Sequence, residues 1–399
     1  MKRLLFALSA VLAVCVASCS DSDPVVTKIT PSSTTGDFFT LPSGYEAADS
    51  AIMTIKNIAT GVETTYEVAK TVPSIVVEDG LYDISLTVYT TRSIGNNASV
   101  QQVLCDIKSN VKVSGGTLEL TFSPVAVVAG QGFLFAEVCL APKLADGVKT
   151  DLYSSWFRIV NSSADTLDTD GLCIIQSKFV TNQKCDFTPD IMSEAVAVDA
   201  IYRIPATGLR VAPGETILIA DQAINHQETN ALSFDLSNAD FEWYDETGKN
   251  LDIDNPDVPN MERVYCNTKT VWVPNSQGNK VFGLAFISTD DEEYLEKYVY
   301  DYSWIIVAPD IEQEKKGSCY MVPNDWIVDC ITFSPSTLYK WNITSSSLDA
   351  GYVSIGKTGA DKDRLGKSAR RKVQDGKFVD TNDSSNDFDV VEADPAYQF

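Results

Sequence analysis

Between Leu81 and Tyr89 the chain reads LYDISLTVY, apolar and polar side chains alternating with a period of two. In an extended backbone successive side chains point to opposite faces, so Tyr82, Ile84, Leu86 and Val88 share one face while Asp83, Ser85 and Thr87 share the other. A helix would scatter the same residues around its circumference, so the pattern demands a half-buried strand. The preceding Glu78-Asp79-Gly80 supplies turn formers. Similar short runs rich in aromatic and β-branched residues recur at 51–55, 63–68, 74–77, 102–107 and 117–122, broken by Gly, Pro, Asn and Asp. They predict an all-β chain. At 399 residues it is long enough for more than one hydrophobic core, and two β-sandwich domains are expected.

The N-terminus is an address. Lys2 and Arg3 precede an apolar run from Leu4 to Val14, shorter than the about 20 residues a membrane-spanning helix needs but suited to a secretory signal over residues 1–18. Val16-Ala17-Ser18-Cys19 resembles a bacterial lipobox, which implies diacylglyceryl transfer to Cys19; an ordinary signal cleaved near Ala17 or Ser18 is the alternative. Ser20-Asp21-Ser22-Asp23 is similar to the export tag of Bacteroidota lipoproteins displayed on the outer face of the outer membrane, although such acids also serve as a solvated tether over residues 19–31. The resemblance implies a lipid-anchored outer-membrane protein facing the cell exterior. Composition excludes one partner class: 55 acidic against 31 basic residues give a net charge of −24, which repels nucleic acid.

Residues 32–128, with TIKNIATGVETTYEV ahead of VEDGLYDISLTVY, resemble the small sandwiches of the carboxypeptidase regulatory type, which implies a spacer or docking module. From 129 to 399 the pattern changes. GFLFAEVCLAP, WFRIVNSSADTLDTDGLCIIQS, GLRVAPGETILIADQAINH, FDLSNADFEWYDETG, YMVPNDWIVDCI and SARRKV with FVDTNDSSNDFDV follow in order. Together they resemble Bacteroidota surface lipoproteins of unknown function that carry a lamin-tail-like, immunoglobulin-like sandwich. One departure is Arg158, where many bacterial versions place an acid. The residues explain the pattern by themselves: Phe157, Ile159 and Asn161 alternate with Trp156, Arg158 and Val160 as in a half-buried strand, and Pro213-Gly214 suits a tight turn before the Ile217 strand. Residues 250–316 read as an insertion, with Thr289-Asp290-Asp291-Glu292 spaced as a capping box for a short helix through Glu296.

Within that insertion Tyr298, Tyr300, Tyr302 and Trp304 recur at every second position and share one face of a strand. They form either a core stripe or a stacking platform for a sugar or other flat ligand. Asp252, Asp254 and Asp257 lie in a proline-broken loop, where they are either a weak oxygen site for Ca2+ or a solvated turn. No other cofactor is indicated. Seven basic residues between Lys362 and Lys377 form either a solvated hairpin or a surface for anionic headgroups or an acidic partner.

Catalytic signatures are missing from the sequence. The single histidine, His226, sits in INHQETN without a nucleophile motif and is expected in a surface loop. Beyond Cys15 and Cys19 seven cysteines remain without a CxxC pair; Cys173 with Cys185 and Cys319 with Cys330 are conceivable disulfides, and an odd count leaves one thiol free. The expectation is a non-enzymatic binding or accessory module. Similar lipoproteins accompany TonB-dependent receptors, so the resemblance implies nutrient capture beside such a receptor. An adhesive structural protein is one alternative, and a glycan-acting hydrolase with two converging carboxylates is another.

Overall fold

Tyr82, Ile84, Leu86 and Val88 are all buried and the intervening Asp83, Ser85 and Thr87 are only half-buried, so the alternation translates directly into a strand with one face on a core. In the computed structural model the described residues are 25–399 apart from 33–35, 43–44, 46, 69–73, 95–97, 128–131, 145, 148, 248–251 and 309–310. Cys19 and Ser20 to Asp23 lie outside them.

The described chain divides into two compact units. The first takes in residues up to Pro42, Ser50–Val88 and Cys105–Pro124; the second takes in Ser43–Asp49, Tyr89–Leu104 and Val125–Phe399. The strands up to residue 127 are β1 (Val26–Pro31), β2 (Ala48–Asn57), β3 (Glu63–Glu67), β4 (Ile75–Glu78), β5 (Gly80–Ile94), β6 (Ala98–Val113), β7 (Thr117–Leu120) and β8 (Val125–Val127). They form a three-stranded sheet, β4-β1-β7, and a five-stranded sheet, β3-β2-β5-β6-β8. The turn before β5 is closed by Tyr82, whose hydroxyl donates to the Glu78 carbonyl at 2.9 Å. Glycine lets the Tyr82 ring close in, since a Cβ on Gly80 would stand 3.0 Å from it.

The second unit continues with β9 (Phe133–Cys139), β10 (Trp156–Asn161), β11 (Leu167–Asp168), β12 (Leu172–Ser177), β13 (Ala195–Arg203), β14 (Arg210–Val211), β15 (Thr216–Ala220) and β16 (Phe241–Glu242). Then come β17 (Glu262–Cys266), β18 (Val281–Phe286), helix α1 (Asp291–Lys297), β19 (Val299–Ala308), β20 (Ile311–Pro323) and β21 (Ile327–Thr332). The last elements are β22 (Lys367–Arg371), β23 (Val373–Gln374), β24 (Lys377–Phe378), α2 (Ser384–Asp387) and β25 (Phe388–Glu392). A six-stranded sheet, β16-β15-β10-β9-β22-β25, faces a seven-stranded sheet, β19-β20-β13-β12-β18-β21, in which β17 also pairs with β13. Phe157, Ile159, Ile217 and Ile219 from the first sheet meet Ile174, Tyr202, Phe282 and Leu284 from the second in one core. At its centre the Phe157 ring lies 5.5 Å from Trp243 and 5.4 Å from Phe282. The chain is therefore all-β, built as sandwiches.

Four expectations change. Strand β10 is buried on both faces rather than one. Its outer side is covered because Trp156 meets Phe234 edge-on at 6.0 Å and the C-terminal segment folds across Arg158, which donates to the Tyr397 carbonyl and lies 5.1 Å from the Phe399 ring. The stretch read as an insertion supplies β18 between β12 and β21, so it completes the sheet. Its helix starts one residue later than the capping box suggested: Asp290 is the N-cap, accepting from the Glu293 amide at 2.8 Å. The basic run is split: Lys362 and Lys377 are exposed, Lys377 on the short β23–β24 hairpin, whereas two arginines are drawn into ion pairs. Arg370 is paired with buried Glu137 at 2.6 Å, and Arg371, itself buried, pairs with Asp329 at 2.6 Å and donates to the Phe135 carbonyl. These arginines lie in β22, beside β9, where acids on neighbouring strands neutralise them.

Candidate binding cleft

Tyr300, Tyr302 and Trp304 share one face of β19, an edge strand of the seven-stranded sheet, whereas Tyr298 precedes the strand as the C-cap of α1. Tyr298 is 1%, Tyr300 2% and Tyr302 8% exposed, so the open four-ring platform is corrected to a buried stripe with one half-buried ring, Trp304. The physical cause is a roof. Residues 178–192 cross over β19 and are fastened on both sides: Thr188 and Ser303 exchange two backbone hydrogen bonds of 2.9 Å, and the Tyr300 hydroxyl donates to the Pro189 carbonyl at 2.6 Å. Phe179 and Phe187 stack on each other at 3.8 Å and both present themselves edge-on to Tyr302 at 5.2 Å. Trp341 pins the other margin of this loop, its indole N–H donating to the Val180 and Gln183 carbonyls at 3.0 and 3.1 Å.

Two cavities flank this roof and share Phe179, Cys185 and Phe187. One, of about 200 Å3, is bounded by Tyr300, Trp341 and Ile191; the other, of about 220 Å3, by Tyr302, Trp304 and Lys178. Each is below the roughly 300 Å3 at which drug-sized ligands begin to fit, and matches a single ring or one apolar side chain. Half-buried Phe187 and Trp304, 5.9 Å apart, give the second cavity an aromatic wall, while exposed Asp186 and Asp190 stand at the first. Burial, followed by the neighbouring Asp186 charge, pushes the Cys185 thiol up, so it stays protonated. The site offers apolar contact with charged groups of both signs, Asp186, Asp190, Lys184 and Lys178, at the rim.

The other sequence candidates are not brought to this cleft. His226 is buried in a short 3-10 turn, its Nε2 3.1 Å from the Gln222 carbonyl, and burial pushes its pKa down; it is not in a surface loop. Of the three loop acids, Asp252 accepts from Gln222 Nε2 and from the Asp245 amide, at 3.1 and 2.8 Å, and Asp254 accepts from Asn260 at 2.8 Å. Asp257 is exposed, and its amide donates to Asn255. Among the described residues no three His, Cys, Asp or Glu side chains are grouped so as to hold a metal ion, and Asp252 and Asp254 act as hydrogen-bond acceptors within the fold. All seven described cysteines are free, the pairs 173/185 and 319/330 included. Sequence reasoning missed Phe179, Phe187 and Trp341. The only signal they carried was local: large aromatics in polar, turn-rich stretches that no alternation explains.

A family model described as "Protein of unknown function (DUF4876)" matches residues 212–394, from the Pro-Gly turn before β15 to the end of β25. No curated protein matches the chain. Among solved structures, a DUF4876 family protein from Bacteroides thetaiotaomicron VPI-5482 is similar over 92% of this chain and 95% of its own, with TM-score 0.50 and 16% identity, a likeness of fold. A protein from Bacteroides ovatus ATCC 8483 proposed to be an adhesin aligns over 76% of this chain and 88% of its own at 9% identity, but its TM-score of 0.20 carries no argument. This chain is thus similar in fold to a DUF4876 protein, and its residues 212–394 match that family's model.

Proposed function

We propose that the chain is a non-enzymatic, lipid-anchored protein of the outer membrane that holds a small apolar or ring-bearing ligand in the cleft beside residues 178–192, as an accessory to nutrient uptake through a TonB-dependent receptor. The observation that supports binding is the pair of cavities walled by Phe187, Trp304 and Trp341 under a loop fastened at Thr188 and Tyr300. A preformed aromatic recess of this size receives a ring without first having to order its walls. Non-enzymatic action is supported by the raised Cys185 thiol, with His226 lining neither cavity. The anchor at Cys19, the export tag and the receptor partnership rest on the sequence resemblance alone, as does the assignment of residues 32–128 to a spacer of the carboxypeptidase regulatory type and of 129–399 to a lamin-tail-like sandwich.

The test is a tryptophan-fluorescence titration of the full chain with p-nitrophenyl glucoside and with N-acetylphenylalanine amide, repeated on Trp304→Ala and Phe187→Ala. Saturable binding by one probe, weakened at least tenfold in both variants, is expected. Equal binding by wild type and variants would move the ligand elsewhere and favour an adhesive role. Cys19→Ala, which should shift the protein from the detergent phase to the soluble fraction, examines the anchor separately.

A further inference from the structure

The first unit has its own open site. Strand β3 ends the five-stranded sheet and β4 ends the three-stranded sheet. Between these two ends lies a trough of about 380 Å3 bounded by Ile55, Val62, Thr64, Tyr66, Val76 and Tyr82. Val62 and Val76 are 62% and 52% exposed, and Ile58 and Leu81 are exposed beside them. An apolar trough of this kind at a sheet edge is usually covered, because both its side chains and its backbone seek partners.

The register shows which backbone groups face outward. Asn57 donates to the Val62 carbonyl at 2.9 Å and Val68 to the Ala51 carbonyl at 2.7 Å, and Ile55 stands opposite Thr64. Antiparallel pairs alternate, so the even-numbered residues of β3 bond to β2 and the N–H and C=O of Glu63 and Thr65 turn to the open edge. On β4, Asp79 donates to the Val25 carbonyl at 2.8 Å, which leaves Val76 and Glu78 turned outward in the same way. Thr64 and Tyr66 lie on the same face as the buried Ile55 and Met53 opposite them, so they point into the trough. A strand laid along β3 would therefore find backbone partners at Glu63 and Thr65 and send every second side chain into the trough.

Charge selects the occupant. Glu78 lines the trough, and Glu63 and Glu67 stand exposed on the opposite face of β3, Glu63 paired with Lys56 at 2.9 Å. A second copy of this chain pairing antiparallel about Thr65 would set Glu63 opposite Glu67 twice, and like charges directly opposite each other destabilise a ladder. We infer that the open edge of β3 binds an extended segment of a partner protein, apolar at alternate positions and flanked by basic residues, which adds a strand to the sheet and fills the trough. This site is independent of the aromatic cleft.

The probe is a fluorescein-labelled peptide of alternating valine and threonine with lysine at both ends, titrated against the full chain by fluorescence polarisation, with a glutamate-ended counterpart. The lysine-ended peptide should bind at least tenfold more tightly. Thr65→Pro removes an outward N–H without touching the β2 ladder, and Val76→Asp puts a charge on the rim; each should weaken binding at least tenfold while leaving the melting temperature in place. Failure of the lysine-ended peptide to bind, equal binding of the two peptides, or undiminished binding by folded Val76→Asp would overturn the proposal. So would a dimer that Thr65→Pro converts to monomer, since the occupant would then be a second copy.

Discussion

Replacing Tyr302 by alanine separates packing from recognition in β19. The ring is 8% exposed and lies within 5.7 Å of four others: Tyr300 at 5.1 Å, Phe179 and Phe187 at 5.2 Å, and Trp304 at 5.7 Å. Truncating a buried aromatic costs about 3–5 kcal/mol, combining lost burial with the cavity left behind. Tyr302 belongs at the lower end, about 3 kcal/mol, because the neighbouring cavity of about 220 Å3 lets its surroundings relax. At roughly 2–4 °C per kcal/mol for a unit of this size, the melting temperature should fall by about 6–12 °C. Trp304→Ala, removing a half-buried ring, should lower it by no more than about 4 °C on the same scale. Differential scanning calorimetry of the two variants against wild type is the assay. If Tyr302→Ala melts within 2 °C of wild type, the roof formed by residues 178–192 does not cover this ring and the buried-stripe account fails.

Two further outcomes are expected. Burial raises the Glu242 carboxyl to about 7 although the Ala223 and Asn255 amides donate to it, so between pH about 4.5 and 7 the native state keeps a proton that the unfolded chain has lost. Stability should fall as pH rises through that window, by at most about 3 kcal/mol from this group, and urea midpoints across pH 4 to 8 should show a shallower fall in Glu242→Gln. Arg371→Met leaves Asp329 buried without its guanidinium and should cost about 3–5 kcal/mol in urea unfolding, with part of the loss restored by adding Asp329→Asn.

What the sequence disclosed follows from how local each cause is. The period of two in β5 was legible because one sheet face is buried and the other is not, so the side chains themselves record the environment. In β10 and β18 both faces are covered, the alternation disappears, and Val281 to Phe286 reads as a plain apolar run that fits an insertion as well as a central strand. Tyr298 ends helix α1 instead of joining the strand, but the pairing of Tyr300, Tyr302 and Trp304 on one face was equally legible, since it depends only on backbone geometry. Its covering was not, because the roof comes from Phe179 and Phe187, more than a hundred residues earlier, and Trp341 lies in a later loop. Arg371 shows the same limit for charge: its partner Asp329 is 42 positions away on another strand, and without that neighbour a basic run looks solvated.

The fastening of residues 178–192 at Thr188 and Tyr300 also has a kinetic consequence. A recess that already has its shape needs no loop closure after encounter, so association should proceed at rates set by collision and orientation, and discrimination among ligands should appear in how long each one stays.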